Sequence, residues 1–270
     1  MSVQLSGNKG FTQHLSVLLN EVVSALAPES TKKYLDGTLG AGGHAAGILE
    51  ASAPEGKLLG LDLDPEAIEL SRTRLSSFQE RAIIRKASYL DAEHEISLLG
   101  WNGLDGIVLD LGVSSMQIDQ PNRGFSFQKE GDLDMRFDPT SGNSASDLIN
   151  TFDENDLADI IWRFGEERHS RRIASAIVKS RPINRTDEFA AVIRKAVGSH
   201  RDKIDPATRT FQAIRIAINK ELSTLEKALP KLSMLLNPGG KIAVISFHSL
   251  EDRIVKTFFK LESQNCICPS

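Results

Sequence analysis

The first stretch of the chain able to do chemistry is Asp36-Gly37-Thr38-Leu39-Gly40-Ala41-Gly42-Gly43-His44. Glycines let a backbone pass close to a ligand, and a helix opening directly after such a turn offers it free N–H groups. A dinucleotide-binding turn usually has an apolar residue before its glycines. Here Asp36 stands there, and an acid repels a pyrophosphate but accepts hydrogen bonds from an ammonium group, which favours S-adenosylmethionine over NAD. Asp62 follows about 20 residues later, where a carboxylate can accept from both ribose hydroxyls of an adenosine. Its competing reading, the N-cap of the helix near Pro65, falls more naturally to Asp64. Tyr89 is placed to lie against an adenine or simply to pack. Asp110 ends the apolar run Ile107-Val108-Leu109, so it faces the reacting groups unless it only forms a turn.

Other constellations carry less. Cys266 and Cys268 could supply two soft metal ligands, but a closed zinc site needs four and the chain has no further cysteine, so no metal is expected. Ser246-Phe247-His248-Ser249 is not a nucleophile elbow, although His248 could line a pocket. Arg123, Phe125, Phe127 and Arg136 interleave cations with aromatic rings, suited to stacking on an extruded base or to forming a local core.

The elements that position these residues follow from hydrophobic periodicity and turn residues. Helical patterns span Val17 to Leu26, Gly42 to Ser52, Pro65 to Phe78 and Ala92 to Leu99, and strands span Lys33 to Asp36, Lys57 to Leu63, Ala82 to Ala87 and Gly106 to Leu111. That alternation predicts an α/β fold with a doubly wound parallel sheet. A polar stretch after Gly112 and helices over Asp153–Phe164, Arg168–Lys179 and Thr186–Val197 read as an inserted, mostly helical domain, residues 114–207. Residues 1–113 and 208–270 form the ligand-binding domain, with one long helix over Thr208–Leu236, a turn at Asn237–Gly240, a fifth strand at Lys241–Phe247 and a closing helix at Ser249–Leu261.

A chain of 270 residues, 40% hydrophobic and 25% charged, is long and apolar enough to fold around a real core. No apolar run approaches the roughly 18 residues of a membrane span, and Met1 to Phe11 lacks a signal-peptide layout, so a cytoplasmic protein is expected. The net charge of -4 hides an asymmetry. Arg163 to Arg215 holds thirteen Lys or Arg against six Asp or Glu, a net of +7, which leaves -11 for the rest. Such a block suits a phosphate-rich partner if its charges converge, and a solvated helical face if they do not.

Taken together, Asp36-Gly-Thr-Leu-Gly-Ala-Gly-Gly-His44, Leu109-Asp-Leu-Gly-Val-Ser-Ser115, Arg123-Gly-Phe-Ser-Phe127, Leu133-Asp-Met-Arg-Phe-Asp138, Phe164-Gly-Glu-Glu-Arg168, Ala207-Thr-Arg-Thr-Phe-Gln-Ala213 and Ser246-Phe-His-Ser-Leu-Glu-Asp-Arg253 closely resemble the RsmH/MraW family. These motifs run in order from about His14 to Arg253. The resemblance implies a class I, Rossmann-like S-adenosylmethionine-dependent methyltransferase acting on the N4 amine of a decoding-centre cytosine in 16S ribosomal RNA of the small ribosomal subunit. It implies that Gly42, Gly43 and His44 line the cofactor site, with Asp62, Tyr89, Asp110 and Gln117 as further contacts, and that the insertion helps hold RNA. Ser16 stands where the family usually has Pro, and the chain ends at Ser270, before the segment that normally adds a last strand.

Methyl transfer is an in-line displacement that requires donor carbon and acceptor nitrogen to be aligned. Asp110, or a carbonyl in Leu111 to Ser114, is the expected acceptor of an N4–H hydrogen bond. Phe125 or Phe127 is the expected stand-in for a stacking aromatic that Asp-Leu-Gly-Val lacks. The competing functions are an NAD-linked oxidoreductase, which Asp36 disfavours, and a non-catalytic RNA-binding assembly factor on the same fold.

Overall fold

The structure, a computed structural model, describes residues 16–198 and 204–264. Cys266, Cys268, His14, Arg201 and Lys203 therefore lie outside the described residues. Helix α1 (Leu19–Leu26) leads into β1 (Lys33–Asp36), α2 (Gly43–Ala51), β2 (Lys57–Asp62), α3 (Pro65–Leu75), β3 (Ala82–Lys86), α4 (Ala92–Leu98) and β4 (Leu104–Asp110). The insertion carries α5 (Ser115–Asp119), α6 (Ala145–Thr151), α7 (Glu154–Gly165), α8 (Ser170–Ser180) and α9 (Thr186–Val197). Then follow α10 (Ala207–Asn219), α11 (Glu221–Met234), β5 (Leu236–Ile245) and α12 (Ser249–Glu262).

The five strands form one sheet in the order β3-β2-β1-β4-β5, every pair parallel. Helices cover both faces, which is why the central strands read as unbroken apolar runs: Leu35, Leu58, Leu59, Leu61, Ile107, Val108 and Leu109 are all fully buried. The order reverses between β1 and β4, so the chain diverges to opposite sides of the sheet there and leaves a crevice above their carboxyl ends. Among the described residues no helix is long and apolar enough to cross a membrane.

Two expectations change. The single helix over Thr208–Leu236 is two, α10 and α11, broken at Lys220, which takes a left-handed φ of 54°. The break has a tertiary cause. The Asn219 carboxamide accepts from Phe137 N (2.8 Å) and donates to Met135 O (2.8 Å), fastening the end of α10 to the insertion. In keeping with this, Ala207, Phe211 and Ile214 of α10 share a core with Leu157, Ile173 and Phe189 of the inserted helices, while Leu225, Ala228 and Leu229 of α11 pack on the sheet. The turn at Asn237–Gly240 exists, but as a bulge inside β5: Leu236 pairs with Leu104, and pairing resumes at Lys241 with Gly106.

Candidate active site

The glycine turn rises from the end of β1 and arches over the crevice. Gly37 is obligatory there, because a Cβ at that position would lie 2.5 Å from Leu109 Cδ2 and 2.9 Å from Tyr89 Cβ. Gly42, at φ 78°, caps α2 in a conformation other residues rarely adopt. A cavity of about 440 Å³ opens above the turn, within the range of small-ligand sites. Its lining brings together Gly43, His44, Asp62, Tyr89, Asp110 and Gln117 from five separate segments. Gly42 does not line it: the position where its Cβ would be faces Leu75 and Ser71.

Each carboxylate has a distinct setting. Asp62 accepts from Gly40 N (2.7 Å) and Asp64 N (2.8 Å), one bond per oxygen, which locks the carboxylate at the end of β2 with a second lone pair on each oxygen still available. Burial raises its pKa. Asp110 ends β4 beside the turn; its N–H donates to Thr38 Oγ1 (2.6 Å), and its Oδ1 is buried without a hydrogen-bond partner among the described residues. Burial raises the Asp110 pKa, opposed by His44 and aided by Glu251. Asp36 differs from the expectation. It is buried beneath the turn and is not part of the cavity lining, so it acts on the site through His44 and Asp110 rather than by touching a ligand. Desolvation pushes its pKa to about 7.

His44 is buried with Nε2 2.9 Å from Val17 O and Nδ1 3.7 Å from Asp110 Oδ2, so it ties the segment after Ser16 to the strand-end acid. Tyr89 forms a short 3-10 turn after β3 and presents its ring to the cavity. Burial, then Glu221 and Glu251, push its hydroxyl pKa well up, so it remains a phenol. Gln117 reaches the lining, yet both ends of its amide are committed: Oε1 accepts from Ser114 N (3.1 Å) and Nε2 donates to Asp64 Oδ2 (2.8 Å).

That last bond belongs to an interlock. Asp64, fully buried, caps α3 through Glu66 N (3.0 Å) and also binds Arg123 Nη1 (2.7 Å), whose Nη2 donates to Arg136 O (3.0 Å) and Phe137 O (3.2 Å). Arg123 therefore fastens the insertion to the end of β2, and is not free to meet a base. Phe127 packs edge-on to Phe211 at 4.9 Å in the helical core, Phe125 stacks on Phe137 at 5.8 Å, and Arg136 is forked onto Asp134. Among the described residues, the aromatic rings that do line the cavity besides Tyr89 are Phe137 and Phe247. Neither was singled out by sequence as a base contact; the available signal was Phe247's place as the last residue of the expected fifth strand, which the structure ends at Ile245.

A second polar group closes the far wall. Arg215 grips Glu221 with two bonds of 2.9 Å across the α10–α11 break. Burial raises the Glu221 pKa despite that arginine. Glu251, buried too, is nonetheless held below the usual range by the nearby His248 imidazole and by the hydrogen bond from Phe247 N–H. His248 caps α12. Of the basic block, Arg163, Arg185, Arg194, Arg209 and Arg215 are engaged by acids and Arg181 by the carbonyls of Ile149 and Phe152. Arg168, Arg171, Arg172, Lys179 and Lys195 are exposed and make no ion pair among the described residues; the first three cluster where α8 begins.

Residues 11–270 match the family model described as the MraW methylase family. The chain is 49% identical over 256 residues to the ribosomal RNA small subunit methyltransferase H of Dehalococcoides mccartyi, covering 95% of this chain and 73% of that protein. It is 52% identical over 261 residues to the protein of the same name from Geotalea uraniireducens, covering 95% and 84%. For that of Syntrophotalea carbinolica the figures are 50% over 262 residues, 95% and 83%.

Proposed function

The chain belongs to the MraW methylase family, and we propose that it transfers a methyl group from S-adenosylmethionine to the N4 amine of a decoding-centre cytosine in the small-subunit ribosomal RNA. The names of its relatives support the ribosomal substrate. The observation that carries the atom assignment is Asp110, whose side chain lines the cavity and stays 25% exposed at the strand end nearest the topological switch.

The residues present fit the cofactor. It supplies a methyl group on a sulfonium, already electrophilic. Asp62, held by two backbone N–H groups, accepts from the ribose hydroxyls, and Tyr89 packs beside the adenine. Gly37 and Gly43 leave room for Leu109 and Tyr89 and for Ser16 to pack against the turn that borders the cavity. Asp110 accepts an N4–H bond from the cytosine, which turns the nitrogen lone pair toward the methyl carbon. It also takes the proton shed by the methylated amine, a role suited to a carboxylate whose pKa burial has raised. Carbon-5 methylation needs a thiolate and ribose methylation commonly a lysine; the described cavity lining contains neither residue type.

The test is methyl transfer to isolated small subunits by the purified protein, followed by digestion of the RNA to nucleosides and mass spectrometry. The expected product is N4-methylcytidine, strongly reduced with Asp110→Ala. A new methyl on carbon 5 or on the ribose overturns the assignment.

A further inference from the structure

Phe247 has an unusual mount. It lies just past the buried end of β5, is 56% exposed, and joins none of the described hydrophobic clusters, although its ring borders the cavity. An exposed phenylalanine alone is ordinary. What sets this one apart is the machinery beneath it. Its N–H donates to Glu251 Oε2 (2.9 Å), while Glu251 Oε1 lies 3.2 Å from His248 Nε2 and His248 Nδ1 accepts from Glu251 N (3.4 Å). A buried carboxylate, itself 3.2 Å from a largely buried histidine, thus fixes the backbone of an exposed ring. The ring stands directly over the strand-end loop that carries Asp110: a Cβ added to Gly112 would be 3.6 Å from Phe247 Cδ2.

We infer that Phe247 is the platform on which the acceptor pyrimidine stacks once extruded from the RNA, and that Glu251 and His248 are the positioning residues that hold the platform beside Asp110. The inference rests on the proposed methyl transfer to a cytosine and adds the substrate-side contact. An extruded base has lost its stacking neighbours, and an aromatic face restores one without demanding a particular sequence around it. The neighbouring rings of the insertion are already occupied. Phe127 is in the helical core, and Phe125 and Phe137 stack on each other at 5.8 Å. Of the phenylalanine and tyrosine rings that line the cavity, Phe247 is the one among the exposed large hydrophobic residues.

The test compares wild type with Phe247→Ala, Phe247→Trp and Glu251→Gln, measuring methyl transfer to small subunits and, separately, S-adenosylmethionine affinity. Phe247→Ala is expected to lower kcat/KM for the RNA by roughly 5- to 150-fold, the worth of one base stacked on a ring, with cofactor affinity unchanged. Phe247→Trp is expected to restore most of the loss. Glu251→Gln should raise KM for the RNA through displacement of the platform, with S-adenosylmethionine affinity kept, and lower kcat through the loss of its charge near Asp110. Wild-type kcat/KM in Phe247→Ala overturns the platform, and so does a parallel loss of cofactor affinity that tryptophan does not repair, which marks a structural role. A wild-type protein that binds the cofactor and methylates no cytosine overturns the functional reading itself.

Discussion

Replacing Arg123 with Met keeps much of the side chain's bulk and removes its charge, and the consequence can be worked out bond by bond. Asp64 is 0% exposed at its side chain and Arg123 only 7%. In the variant, Asp64 retains the Glu66 N–H at 3.0 Å and the Gln117 amide at 2.8 Å, but loses its cationic partner. Removing one member of a buried pair costs about 3–5 kcal/mol, because the remaining charge is left uncompensated. Phe137 O and Arg136 O lose their shared donor as well. Against a typical domain stability of about 5–15 kcal/mol this is a large fraction. Asp64→Asn should cost a comparable amount by stranding the guanidinium, and the double variant, with both charges gone, should cost clearly less than the sum. Urea unfolding followed by circular dichroism measures all four proteins. A loss under about 1 kcal/mol for Arg123→Met, or strict additivity in the cycle, would refute the interlock.

Three further outcomes are expected. Asp62→Asn should weaken S-adenosylmethionine binding by about 10- to 150-fold, the value of hydrogen bonds to a charged acceptor, and unchanged affinity in calorimetry rejects the ribose contact. Asp36, with its pKa raised from 3.8 to about 7 by burial, keeps in the folded state a proton that the unfolded chain releases, so stability should fall as pH rises through that window. Asp36→Asn should flatten that slope in urea titrations across the window, and an identical slope in both proteins excludes the assignment. Charge reversal at Arg171 and Arg172 should weaken RNA binding and shallow its salt dependence while leaving cofactor affinity alone; wild-type RNA affinity and slope would make this pair a solvated face.

What the sequence determined by itself is whatever depends on neighbours along the chain. The strand over Lys33–Asp36 and the helix over Thr186–Val197 were legible to the residue, because apolar alternation and turn residues act locally. Asp62 and Asp110 could be placed at strand ends, and a parallel sheet puts its strand ends at one edge, so their convergence on one cavity follows from the order of residues alone. Only the tertiary structure decided which side chains were left free. Arg123, Phe125 and Phe127 have the composition of a base-binding set, but Asp64, Phe137 and Phe211 reach them from elsewhere in the chain and occupy them. Gln117 points to the site yet is spent on Ser114 and Asp64, and Asp36 opens the glycine turn yet is sealed beneath it. The helix through Lys220 carries no glycine or proline at that point to announce its break, which the Asn219 contacts with the insertion impose from outside. Phe247 became visible for the converse reason: a hydrophobic residue next to a strand is expected to be buried, and only packing reveals that this one stays open to solvent.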